Sequence, residues 1–164
     1  MENTVTLDRT AEKKLTHRLP VLLLPVIVLC LTSIAGAELG GTVSSVQSDR
    51  EFFKGTVQVT HAGAYDVHGI KTAAGSSIRE YVSPDGKVFA VAWSSAGHPD
   101  MKQLLGTYFE QYQRVLQAPR TGRGPLSVHE SGLAVELGGH PRAFTGRVYV
   151  PGLVPQGVDL ENIR

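Results

Sequence analysis

From residue 38 onward, hydrophobic and polar positions switch between two periods, and the switches mark out the elements. Thr56-Val-Gln-Val-Thr-His61 alternates with period two and predicts a half-buried strand. After the Ala62-Gly63 turn, Ala64 to Lys71 predicts a second strand with Tyr65 and Val67 on one face. Ser77 to Val82 predicts a third. Ser83-Pro-Asp-Gly86 is a tight-turn sequence, because proline presets φ at its second position and glycine suits its fourth. It leads into Lys87-Val-Phe-Ala-Val-Ala-Trp93, apolar on both faces as a central strand covered on both sides should be. Upstream, a short helix is expected near 45–53, capped by Ser44 or Ser45, with Val46, Phe52 and Phe53 as contacts and Gly55 ending it.

The period then lengthens. Pro99-Asp100 suits a first helical turn. Behind it Met101, Leu104, Leu105, Tyr108, Phe109, Tyr112, Val115 and Leu116 recur at three- and four-residue spacing. One long amphipathic helix is therefore expected over about 99–117, ending before Pro119. The loop Arg120-Thr-Gly-Arg-Gly-Pro125 is basic and glycine-rich, and three short strands follow at Leu126–Glu130, Leu133–Leu137 and Ala143–Val150. The segment from Pro151 reads as an extended tail. Strands outnumber helices and their links are short, which favours antiparallel pairing with the long helix across one face. The fold class is α+β: an antiparallel sheet of six to seven strands, one long helix on it, and a short N-terminal helix.

The first 37 residues carry a different pattern. Lys13-Lys14 and Arg18 precede an apolar run from Leu19 to Leu31, and Ala35-Gly36-Ala37 has the small-residue spacing of a signal-peptidase site. Basic residues remain on the cytoplasmic side while the apolar stretch enters the translocon. A retained membrane anchor is the alternative, but Pro20, Pro25, Thr32, Ser33 and Gly36 interrupt the stretch. The expected organisation is a signal peptide over 1–37 and a single domain over 38–164, exported to the periplasm or beyond, with no membrane span once the leader is removed. Cys30, the one cysteine, would leave with the leader, so no disulfide can staple the domain.

Charge narrows the partners. Lys and Arg number 16 against 15 Asp and Glu, and after Ala37 the two signs balance. A neutral domain has no electrostatic reason to seek a polyanion, so a nucleic acid is not an expected partner.

Candidate chemistry is thin. No G-x-S-x-G is present, and His61, His68, His98, His129 and His140 show no metal-ligand spacing, so neither a metal nor another cofactor is expected. Arg79 and Glu80 are adjacent on a predicted strand and must face opposite ways. One faces the helix side, where a buried charge needs a partner; an ion pair with another strand or with the 120–125 loop is expected. Trp93 closes the central strand, as core or as the wall of a small pocket. Arg120, Arg123, His140 and Arg142 lie in glycine- and proline-rich segments and could hold an anion, since arginine binds carboxylate or phosphate with two parallel hydrogen bonds.

Arg79-Glu-Tyr-Val-Ser-Pro-Asp-Gly-Lys-Val-Phe-Ala-Val-Ala-Trp93, followed by Pro99-Asp100 and Leu104-Leu105-Gly106-x-Tyr108-Phe109, resembles an uncharacterised family. It is a family of small exported proteins from Gram-negative bacteria, known only as a domain of unknown function. Gly122-Arg-Gly-Pro125 and Gly139-His-Pro-Arg-Ala-Phe144 fit as well, so the resemblance spans nearly all of 38–155. It implies export and a single domain, and it carries over no catalytic or binding residue. The reading that follows is a non-enzymatic exported binding or accessory protein for an envelope protein or small ligand. Arg79, Glu80, Trp93, Arg123, His140 and Arg142 are its candidate contacts. The alternatives are a small hydrolase or metal-dependent enzyme using Glu80 with some of His68, His129 and His140, and an envelope component that self-associates through an edge strand.

Overall fold

Every residue from Val88 to Trp93 is buried, which places this strand at the centre of a sheet covered on both sides. The computed structural model describes residues 38–164 except 121, 123 and 131, all within one compact unit. The expected leader and Arg123 lie outside the described residues. The strands are β1 (Thr56–His61), β2 (Asp66–Lys71), β3 (Ser77–Val82), β4 (Val88–Ser95), β5 (Leu126–His129), β6 (Ala134–His140) and β7 (Ala143–Tyr149). They form one seven-stranded sheet in the order β1-β2-β3-β4-β7-β6-β5, antiparallel at every pairing.

Short links build the first four strands as a meander. In the β3–β4 turn Ser83 Oγ donates to the Lys87 carbonyl at 2.9 Å, and Gly86 N donates to the Ser83 carbonyl at 2.8 Å. The next three strands arrive from the other side: a helical crossing takes the chain to the far edge, and β5, β6 and β7 step back inward until β7 pairs with β4. The sheet is therefore α+β as expected.

The crossing is the expected long helix, Met101–Gln117 without a gap, joined from an α, a 3₁₀ and a second α piece. α2 (Met101–Leu105) begins at Asp100, whose carboxylate accepts from Gln103 N at 3.0 Å. At Gly106 the backbone turns to φ 47°, and a 3₁₀ turn over Gly106–Tyr108 separates α2 from α3 (Phe109–Gln117). The Glu38 side chain fills the space that a Cβ on residue 106 would need, so glycine answers both the φ and the contact. The apolar spacing runs on through this joint, as the periodicity predicts. The N-terminal helix α1 runs Val43–Phe52, two residues earlier than expected. Thr42 stands at its N-cap without a side-chain capping bond, its hydroxyl paired instead with that of Ser44 at 2.7 Å, and Ser45 lies within the first turn, its hydroxyl donating back to the Thr42 carbonyl. Among the described residues no helix is long and apolar enough to cross a membrane.

Two cores follow from strand alternation. On the helix side Ile78, Val91, Trp93, Val135 and Val148 meet Val46 of α1, Leu104 and Leu105 of α2, and Tyr112 and Val115 of α3. On the opposite side Tyr81, Phe89, Ala92 and Tyr149 are covered by the C-terminal segment, with Ile163 only 1% exposed. That segment is not the extended tail expected from its glycines and prolines: it forms 3₁₀ turns at Pro151–Leu153 and Leu160–Asn162 and folds back over the sheet. A bulge helps it. Tyr81 pairs with Ala90 but Val82 pairs with Val88, so Phe89 is the extra residue and joins the tail-side core.

Candidate functional site

Arg79 and Glu80 do face opposite sides of the sheet, and each meets a partner the sequence did not name. Glu80 is 1% exposed on the helix side, between His68 of β2 and Val91 of β4 in register. The expected ion pair is absent among the described residues; Glu80 interacts instead with a second carboxyl, Asp49 of α1. Burial, then the Asp49 charge and the hydrogen bond to it, hold the Glu80 carboxyl well above its ordinary range. Two adjacent buried carboxyls resist ionising together, so the Glu80 proton is held beside Asp49. Gln103 Nε2 also donates to Asp49 Oδ1, at 2.7 Å. The cluster ties α1 to β3 and α2.

A pH dependence follows. Folded Glu80 holds a proton that unfolded glutamate releases near about pH 4.3. Its stabilisation is complete below that value and is lost as pH rises through the folded pKa. His68, which burial holds below its ordinary value against the pull of Asp66, acts in the opposite sense but is common to both proteins compared. Glu80→Gln is therefore expected to lose less melting temperature than the wild type between about pH 5 and 8, and to be the more stable of the two at the upper end. Parallel melting curves across that range would refute the shared proton.

Arg79 sits on the tail side, where its guanidinium and the Tyr81 hydroxyl both donate to the main-chain oxygen of Arg164. Nearby, Arg147 grips Glu136 with two hydrogen bonds of 3.0 Å, and its Nη1 donates to the Leu160 and Ile163 carbonyls. His129 Nε2 lies 3.0 Å from the same carboxylate. Partial burial pushes Glu136 up, but the Arg147 and His129 hydrogen bonds outweigh it and hold the carboxyl below its ordinary range. A cavity of about 520 Å³ opens beside this network, bordered by Arg79, Trp93, Ser127, Thr145, Arg147 and Arg164. Its arginines are engaged with Glu136 and with main-chain oxygens of the tail. Trp93 itself is core: it is 2% exposed, stacks over Gly146, and leaves its indole Nε1 without a hydrogen-bond partner among the described residues.

The remaining candidates do not converge. His140 and Arg142 lie exposed at the β6–β7 hairpin, with Arg142 at φ 71° in the turn. Arg120 is elsewhere, on the rim of a second cavity of about 560 Å³ between α3 and the β5–β6–β7 half of the sheet. Phe109, Tyr112 and Leu116 of α3 form one wall, and Leu126, Leu137 and Phe144 the other. His98 stacks on Phe144 with ring centroids 4.8 Å apart. No carboxylate lines this groove among the described residues; Arg120 is its charged group, with one guanidinium nitrogen donating to the Gly124 carbonyl at 3.3 Å. The size and the mostly apolar lining are those of a small-ligand site. Sequence reasoning missed it by assigning the whole α3 stripe to core. The available signal was Leu116 at the end of that stripe, which is 39% exposed.

Among the described residues no three His, Cys, Asp or Glu side chains gather as a metal site would require. His68 flanks Glu80 on the helix side, His129 belongs to the tail-side network, and His140 sits at the hairpin, so the residues of the enzymatic alternative occupy three places.

No curated protein and no solved structure matches the chain. One family model does, described as a protein of unknown function (DUF2844), and it matches residues 35–163. The chain thus belongs to the DUF2844 family, whose function is unknown.

Proposed function

We propose that this is an exported, non-enzymatic binding or accessory protein, and that its ligand site is the groove between α3 and the β5–β6–β7 half of the sheet. The observation that carries this reading is the lining of the groove: aromatic and aliphatic walls left open beside a folded core, with Arg120 on the rim and no carboxylate among the described lining residues. Such a surface takes an apolar or aromatic ligand bearing an anionic group, the apolar part giving affinity and the guanidinium fixing orientation. The dispersal of Glu80, His68, His129 and His140 supports binding over catalysis. The basic, apolar and A-x-A pattern of residues 1–37 supports export.

The native protein, purified with its own processing, provides the test. Its mass should begin at Glu38. It should enhance the fluorescence of anilinonaphthalene sulfonate, an apolar anion. Leu116→Gln and Arg120→Ala, both at exposed positions, should each weaken that binding about tenfold while leaving the melting temperature within a degree or two. Equal binding by the wild type and both variants would remove the groove from consideration.

A further inference from the structure

The two edges of the sheet are built differently. β5 is four residues long, follows Pro125, and has Ser127 and His129 drawn into the Glu136 network. β1 has none of the usual devices that blunt an edge. Thr56-Val-Gln-Val-Thr60 contains no proline, lysine or acid, runs without a bulge against β2, and is exposed at every residue but Val57. Val59 is 46% exposed, one of the few large apolar side chains so open to solvent among the described residues.

The hairpin fixes which backbone groups face outward. Ala62 N donates to the Tyr65 carbonyl at 2.9 Å, and hydrogen-bonded pairs alternate from there along an antiparallel ladder. Thr60, Gln58 and Thr56 therefore direct their N–H and C=O groups to β2, and Val57 and Val59 direct theirs away from the sheet. We propose that β1 pairs antiparallel with β1 of a second copy of this chain about a two-fold axis at Gln58, joining two sheets into one of fourteen strands. In this register Val57 and Val59 of one copy exchange hydrogen bonds with Val59 and Val57 of the other, closing four bonds around the axis. The four valines gather on the helix side, Gln58 meets Gln58, and Thr56 meets Thr60. Like polar pairs with like, and no charge opposes its own copy. Centring the axis on Val59 instead sets Val57 against His61, whose ring is held by Asp66 at 2.6 Å. This surface is separate from the groove and does not depend on it.

Cysteine cross-linking in the full chain carrying Cys30→Ser reads the register directly. Gln58 occupies a non-hydrogen-bonded site of the new ladder, where facing Cα atoms lie about 4.5 Å apart, within disulfide reach. Gln58→Cys should form a disulfide-linked dimer on mild oxidation; Thr60→Cys, which faces Thr56, should yield at least tenfold less. Light scattering should find a concentration-dependent dimer in the wild type. Val59→Pro should shift it to monomer at least tenfold, because it deletes an outward N–H and leaves the ladder to β2 whole. If Val59→Pro fails to fold, Val59→Lys serves the same purpose through charge repulsion. A wild type that stays monomeric at every concentration, or equal cross-linking by Gln58→Cys and Thr60→Cys, overturns the proposal.

Discussion

Trp93→Ala is expected to lower the unfolding free energy by about 3–5 kcal/mol, read from urea denaturation. The indole is the largest fully buried side chain and fills the helix-side core where β4 meets β7. Its place depends on Gly146, its partner in register: a Cβ there would collide with the indole ring and come within 2.8 Å of Leu137 Cδ2. Gly146→Ala alone should cost about 1–3 kcal/mol by overpacking. The two losses should not add. With the ring already removed, the alanine methyl enters vacated space, so the double variant should be more stable than the sum of singles predicts by at least about 1 kcal/mol. Strict additivity would mean that the ring does not lie over Gly146.

Arg147→Ala is expected to cost about 2–3 kcal/mol and to free the C-terminal segment before the rest of the chain unfolds. The guanidinium is 16% exposed and serves four acceptors, two on Glu136 and two on the tail. Its removal leaves Glu136 with His129 alone and strips the Leu160 and Ile163 carbonyls of their donor. Hydrogen exchange at residues 158–163 should accelerate well beyond that of β4. Glu136→Gln should do less, because Arg147 keeps its bonds to the tail. Unchanged protection of the tail in Arg147→Ala would show that apolar cover by Ile163, Leu160 and Val158 suffices by itself.

The elements were legible because each reports its own burial. Period two in Thr56–His61 returned that strand with its observed ends, Ser77–Val82 was also read with its observed ends, and the three- and four-residue spacing behind Asp100 located the helical crossing. Val88–Trp93, apolar on both faces, announced two covering layers. Only one of them had a visible source. The second is the C-terminal segment, whose prolines and glycines show no period and whose anchors, Arg79, Tyr81 and Arg147, look like ordinary strand residues until the chain is folded. Strand order was illegible for a related reason: nothing in residues 126–149 says that β7 and not β5 returns to β4. At Arg79-Glu80 alternation indicated that one of the two faces the helix side and needs a partner, without saying which. It could not identify a carboxyl on α1, since a shared proton leaves no mark of opposite charge in the sequence. The groove was hidden because the stripe of Phe109, Tyr112 and Leu116 reads as core throughout, whereas Tyr112 is 3% exposed and Leu116 39%.

The groove reading meets its most direct test in a heteronuclear NMR titration of the ¹⁵N-labelled protein with anilinonaphthalene sulfonate. The account predicts amide shifts concentrated at Leu116, Arg120, Gly124, Gly139 and Phe144, and much smaller shifts at these positions in Arg120→Ala at the same probe concentration. Shifts centred instead on Ser127, Thr145 and Arg164 of the tail-side cavity, or none at all, would contradict it.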